Sequence, residues 1–139
     1  MQPHYNLVHR TAVESEILPL AEQHGFSLVP YYALASGFLT GKYRTTDATG
    51  DSPRAGGAAK LATPAGLAVI DALEEIGRAH GASIATTALA WLRAQPTVVA
   101  PLASASRPEQ VKDLLASMSL DLSTDELARL DAVSAAAQD

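Results

Sequence analysis

The residues in this sequence best suited to chemistry lie in one passage, LASASRPEQ, where an apolar run ends in Ser104 and Ser106, followed by Arg107 and a helix-starting pattern. Backbone N–H groups at a helix N-terminus carry partial positive charge, and a guanidinium beside them completes a site for a phosphate. The same residues also read as ordinary helix capping beside a solvated arginine, and before any family is considered that plainer reading has slightly more weight. A second passage, GFLTGKY, places glycines and a lysine where backbone amides could cradle an anion. It is not a nucleoside-triphosphate P-loop, which needs G-x-x-x-x-G-K-S/T: the Gly37 to Gly41 spacing is one residue short, and Tyr43 stands where a metal-binding hydroxyl belongs. His4, His9, His24 and His80 are dispersed, with no cysteine in the chain, so no metal site is expected. No G-x-S-x-G elbow offers a serine nucleophile. The residues alone name binding chemistry and no catalytic group.

These candidates need elements to hold them. Thr11 and Glu14 form a T-x-x-E capping box, and Val13, Ile17, Leu20 and Ala21 follow at helical spacing until Gly25 ends the helix after His24. FSLVPYY predicts a buried strand over residues 27–31, and TVVAP predicts another over 97–101. Residues 44–60 have the Gly, Thr, Asp and Pro content of a long loop. Thr63 and Pro64 start a helix with Val69, Leu73, Ile76 and His80 on one face, ended by Gly81. The next runs from about Ser83 to Ala94, with Ala85, Ala88, Leu89 and Leu92 in one stripe and Trp91 in the core beside it. Ser106 and Glu109 form a second box, for a helix whose Val111, Leu114, Leu115 and Met118 make an amphipathic stripe. Ser123 and Glu126 cap a last helix carrying Leu127 and Leu130. Short apolar strands alternating with helices predict an α/β protein, its two strands adjacent and parallel. Two strands leave long edges unpaired, so another element must supply the missing neighbours.

Composition narrows the function class. With 139 residues, 47% of them hydrophobic, a net charge of -5 and no cysteine, the chain reads as one globular unit. Disordered, collagen-like and disulfide-scaffold proteins are excluded. Its 27 alanines predict a helix-rich core of closely approaching elements. Fifteen acidic residues outnumber ten scattered basic ones, so nucleic-acid binding is not expected. No apolar run approaches the roughly 20 residues of a membrane span, and MQPHYNLVHR lacks a signal-peptide core. A cytoplasmic protein without membrane contact is expected. The length falls well short of the about 250 residues that a (β/α)8 barrel takes.

Several segments, in order and nearly end to end, resemble the C-terminal part of the aldo-keto reductase superfamily. QPHYNLVHR resembles that family's Q-x-x-Y-N-L-x-x-R at the end of barrel strand six, and HGFSLVPYYALASGFLTGKY resembles its strand-seven segment ending in L-T-G-K-Y. VVAPLASASRPEQVKDLLAS resembles the strand-eight segment with A-S-A-T-S-x-x-Q-L, and LSTDELARLD resembles the final helix. The sequence departs from the pattern at Tyr32 and Ala33, where Ser-Pro is usual, at Leu114, where asparagine is frequent, and in the S-P-R of the long loop.

The resemblance implies that residues 1–139 are the C-terminal portion of a (β/α)8 TIM barrel, incomplete as a single chain, with a site for NADPH or NADP. Carried over by position, Gln2 would hydrogen-bond the nicotinamide carboxamide and Tyr31 would stack on the nicotinamide ring. Tyr32, Ala33, Leu34, Ala35 and Ser36 would line the pyrophosphate and ribose, with Lys42 and Arg54 balancing the phosphate charge. Ser104 and Ser106 would meet the adenosine 2′-phosphate, Arg107 would either partner that phosphate or stack on the adenine, and Gln110 and Asp113 would contact the adenine end. The family's catalytic Asp, Tyr, Lys and His come from strands that this chain lacks, so no catalytic residue is assigned. The implied activity is reduction of aldehydes or ketones to alcohols once an N-terminal half, or a second copy, completes the barrel. The alternative is a non-catalytic remnant, or a cofactor-binding or interaction module that needs a partner chain.

Overall fold

The computed structural model describes residues 1–45 and 55–138. Three extended segments lie side by side. Val29 and Tyr31 donate their N–H groups to the carbonyls of Met1 and Pro3 at 2.8 and 2.9 Å, which sets residues 1–5 against 27–31. On the other side, Leu28 N–H donates to Thr97 at 2.8 Å, Val99 N–H to Leu28 at 3.0 Å and Leu102 N–H to Pro30 at 2.8 Å. The pairs His4–Tyr31 and Leu28–Val98 are both parallel. The two expected strands are therefore parallel neighbours, and residues 1–5, which no residue pattern marked as a strand, supply a third.

The ladders are shorter than expected because a proline interrupts each segment. A parallel pair needs one residue both to accept and to donate toward the opposite chain. Extending the first ladder through Gln2 and Val29 would require an N–H at Pro3. Extending the second through Pro30 and Ala100 would require one at Pro30 and one at Pro101. The expected continuous strands are thus extended segments pinned at single bridged pairs.

Helices pack against these segments. The first opens as a π turn, Val13–Ile17, and continues as α1, Leu18–His24, closed by Gly25 at φ 68°. The expected Thr11–Glu14 box does not form. Glu14 is taken instead by Arg10 Nε at 2.7 Å and by the Tyr5 hydroxyl at 2.8 Å. Burial, then the bond to Glu14, pushes the Tyr5 phenol above its ordinary range, so it serves as a structural donor.

Part of the predicted loop is helical, α2 at Ala55–Lys60. Then come α3, Pro64–Ala79, and α4, Ile84–Arg93, whose N-caps Thr63 and Ser83 accept from Gly66 and Thr86 N–H, both at 3.1 Å. The two helices meet where Gly77 lies so close to the turn that an added Cβ would sit 2.7 Å from the Ala82 carbonyl oxygen. This is the close approach that the small-residue composition predicted. Trp91 of α4 and Ile70 and Leu73 of α3 are fully buried.

After α5, Pro108–Ala116, the chain ends in α6, Thr124–Ser134, and a short 3-10 turn, Ala135–Ala137. The Ser123–Glu126 box forms as expected, with N–H to oxygen distances of 2.8 and 3.3 Å. At α5 the box is shifted by one residue: Gln110 Oε1, not Glu109, accepts from the backbone of Ser106 and Arg107 at 2.8 and 3.2 Å. The amphipathic stripe of α5 is also not a buried one. Leu114 packs against the core, while Val111, Leu115 and Met118 are exposed. Among the described residues no helix is long and apolar enough to cross a membrane.

Candidate functional site

The second and third extended segments run in parallel and so end at the same edge, where Tyr31 and Tyr32 come near residues 102–106. Between them sits a 3-10 turn, Ala35–Thr40, with an unusual backbone: Tyr32, Ala35 and Ser36 have φ of 53°, 48° and 56°, and Gly37 has 95°. Left-handed non-glycine residues are disfavoured, so the surroundings must hold this turn in place. Phe38 and Leu39 anchor it in the core. The Asn6 side-chain amide donates to the Tyr32 carbonyl at 2.9 Å, and Thr40 Oγ1 donates to the Gly37 carbonyl at 2.7 Å. Glycine is favoured at position 37 by its φ, and its missing Cβ leaves room for Lys42 Cε, which would lie 3.3 Å from one. The lysine stem is thereby laid along the turn, with Nζ 4.9 Å from the Tyr43 ring centre.

The turn, the ends of the two segments and the starts of α4 and α5 enclose a cavity of about 850 Å³. Ten of the expected residues line it: Tyr31, Tyr32, Ala33, Leu34, Ser36, Lys42, Ser104, Ser106, Gln110 and Asp113. Ala35 is not among the lining residues. It is buried below, and its N–H is bound to the Tyr32 carbonyl at 2.8 Å. Gln2 and Arg107 are exposed and stand outside the lining. Arg54 lies outside the described residues.

The cavity also takes in residues that sequence reasoning did not assign. Gly37 and Thr40 were visible inside GFLTGKY, and Leu114 was singled out as a departure. Ser83 and Ala85 had only a helix-start signal, and their place at the cavity depends on how α4 packs on α5. Thr86 Oγ1 makes that connection by donating to the Asp113 carbonyl at 3.0 Å. Gln110 Oε1 ties down the serine loop, accepting from the N–H and hydroxyl of Ser106. Its amide NH2 remains a donor by chemistry.

These residues fit the dinucleotide that the sequence resemblance implies. The lining offers the hydroxyls of Ser36 and Ser104, the Lys42 cation and a single carboxylate, Asp113, while the Thr40 and Ser106 hydroxyls donate to Gly37 and Gln110, a set suited to phosphate and ribose oxygens. Tyr31 and Tyr32, 41% and 48% exposed, present flat ring surfaces at one end. The volume lies in the range of small-molecule sites, roughly 300–1,000 Å³.

Comparison with known proteins gives one family. The model of the aldo/keto reductase family matches residues 1–135. The chain is 34% identical over 138 residues to L-glyceraldehyde 3-phosphate reductase of Escherichia coli strain K12, covering 94% of this chain and 40% of that protein. It is 33% identical over 126 residues to the NADH-specific methylglyoxal reductase of the same organism, covering 88% of this chain and 38% of that one. Among solved structures, a glycerol dehydrogenase from Gluconobacter oxydans superposes with a TM-score of 0.80 at 32% identity, over 97% of this chain and 42% of that chain. The chain therefore spans about two fifths of the length of these relatives, whose fold is the (β/α)8 barrel.

Proposed function

The chain belongs to the aldo/keto reductase family, and on that premise we propose that it is the C-terminal portion of a barrel oxidoreductase and carries the site for NADPH. The observation that supports this most is the gathering of Tyr31, Lys42, Ser104 and Asp113, far apart in sequence, around one cavity. Tyr31 is the platform for the nicotinamide, and Gln2 is the partner for its carboxamide. Ser36 and Lys42 hold the diphosphate. Ser104 and Ser106 receive the 2′-phosphate, with Arg107 at the rim, and Gln110 and Asp113 face the adenine end. This phosphate-directed set favours NADPH over NADH.

When bound, NADPH supplies a hydride to the carbonyl carbon of a small aldehyde or ketone. The carbonyl oxygen then needs a proton, and the family resemblance assigns no residue of this chain to act as that acid. Tyr31 is committed to the cofactor, and Tyr5 is buried against Glu14. Turnover therefore requires an N-terminal half that brings the catalytic groups. A second reading, a non-catalytic module that docks on a partner chain, is favoured by the exposed Val111, Leu115 and Met118 of α5. A cytoplasmic setting accompanies either reading.

The test is a fluorescence titration of the purified 139-residue chain. Saturable binding is expected with NADPH, tighter than with NADH, and Lys42→Ala should weaken it roughly tenfold through loss of a charge-assisted contact. No saturable signal would refute the cofactor site. Reduction of 4-nitrobenzaldehyde by the chain alone, above contaminant level, would refute the need for a completing partner.

A further inference from the structure

We propose that His4 is a positioning residue that holds the Tyr31 ring as a platform for the nicotinamide, an inference that rests on the cofactor reading above. His4 and Tyr31 form a parallel bridge, so their side chains leave the extended segments on the same face, at neighbouring positions. The half-buried His4 ring lies 5.4 Å from the Tyr31 ring, tilted by 31°, and 5.2 Å from the Tyr32 ring, edge-on at 60°. It also stacks on the His9 ring at 3.9 Å with 13° between planes. Tyr31 and Tyr32 themselves lie 5.1 Å apart. These four rings form one continuous cluster, and of the four only Tyr31 and Tyr32 line the cavity.

A reason for this support lies in the exposure of Tyr31. A ring 41% exposed at a cavity wall lacks the close packing that fixes a core side chain, and aromatic pairs at these separations restrict one another. Asn6 completes the arrangement. Its Nδ2 donates to the Tyr32 carbonyl at 2.9 Å and lies 3.4 Å from His4 Nε2. His4 and Asn6 thus reach the cavity indirectly: His4 supports Tyr31 through its ring, and Asn6 supports the left-handed turn through the Tyr32 carbonyl.

The experiment compares two probes, NADPH and 2′,5′-ADP, which has the adenine half and no nicotinamide. On the wild-type chain both should bind. His4→Ala should weaken NADPH about three- to tenfold, the strength of an aromatic pair, and leave 2′,5′-ADP unchanged, while His4→Phe, which retains a ring, should restore NADPH affinity. If His4→Ala fails to fold by far-UV circular dichroism, His4→Met reads the same split. Equal weakening of both probes, unchanged NADPH affinity or failure of His4→Phe to restore it would overturn the inference alone. A wild-type chain that binds neither probe would overturn the cofactor reading and this inference together.

Discussion

Trp91 on α4 is fully buried, and its indole N–H donates to Asp131 Oδ1 on α6 at 2.9 Å. The Arg10 guanidinium lies over the same ring at 5.2 Å and approaches Asp131 at 3.3 Å. One carboxylate therefore joins the start of the chain, its core helix and its last helix. Asp131→Ala should lower stability by about 1–3 kcal/mol, because the buried indole donor loses its acceptor. Asp131→Asn, which retains an acceptor oxygen, should lose less. Urea unfolding followed by Trp91 fluorescence measures both, and equal losses would show that the charge matters more than the indole bond.

Acid sensitivity should pass through Glu126. The Ser123 backbone N–H, followed by His80 and the Ser123 hydroxyl, holds its carboxyl below the ordinary value of 4.5. A carboxyl depressed on folding contributes its full stability above its unfolded pKa and loses it as pH falls through the folded one. The Tm difference between the wild-type chain and Glu126→Gln should therefore be largest above the ordinary carboxyl value of 4.5 and should shrink as the pH falls below it. A gap that persists in acid would rule out this linkage.

Thr97 is a β-branched residue at φ 63°, and among the described residues its buried hydroxyl has no hydrogen-bond partner. Both features disfavour threonine there. Thr97→Gly should raise stability by about 0.5–1 kcal/mol, the relief of left-handed strain and of the hydroxyl outweighing the flexibility that glycine adds to the unfolded chain. A lowered Tm would contradict this backbone conformation.

Gly66, near the start of α3, is a close-approach glycine. A Cβ there would lie 2.0 Å from the Leu61 carbonyl oxygen and 3.2 Å from Phe38 Cζ. Gly66→Ala should destabilise the chain by about 1–3 kcal/mol, and displacement of Phe38, which anchors the cavity turn, should also weaken NADPH binding. Unchanged thermal stability would refute the packing at this contact.

Much of the fold was legible because its signals are local. Thr63, Ser83 and Ser123 cap their helices as their neighbours in sequence imply, and Gly25 ends α1 in the left-handed conformation. The failures have tertiary causes. Thr11 lost its capping partner because Glu14 was nearer to Arg10 and Tyr5, an outcome that spacing along one helix cannot register. The period of α5 described a face able to be buried, and among the described residues nothing covers Val111, Leu115 and Met118. Pro30 and Pro101 stood in plain view within the apolar runs, yet both runs read as continuous strands, and the ladders are short because neither proline can donate.

For the candidate site, the sequence by itself determined the chemistry on offer: two tyrosines, a glycine-lysine turn and a serine loop before a helix, each set by residues close together in the chain. Only the tertiary structure decided that these meet. Parallel pairing of Leu28 with Val98 brings two segment ends to one edge, and the packing of α4 on α5 closes the cavity with Ser83 and Ala85. The structure also decided that Gln2, Ala35 and Arg107 lie outside the lining and that the His4 ring lies beside that of Tyr31. Hydrogen bonds between distant segments and burial against a shared core fix such distances, and neither can be read from the spacing of residues along the chain.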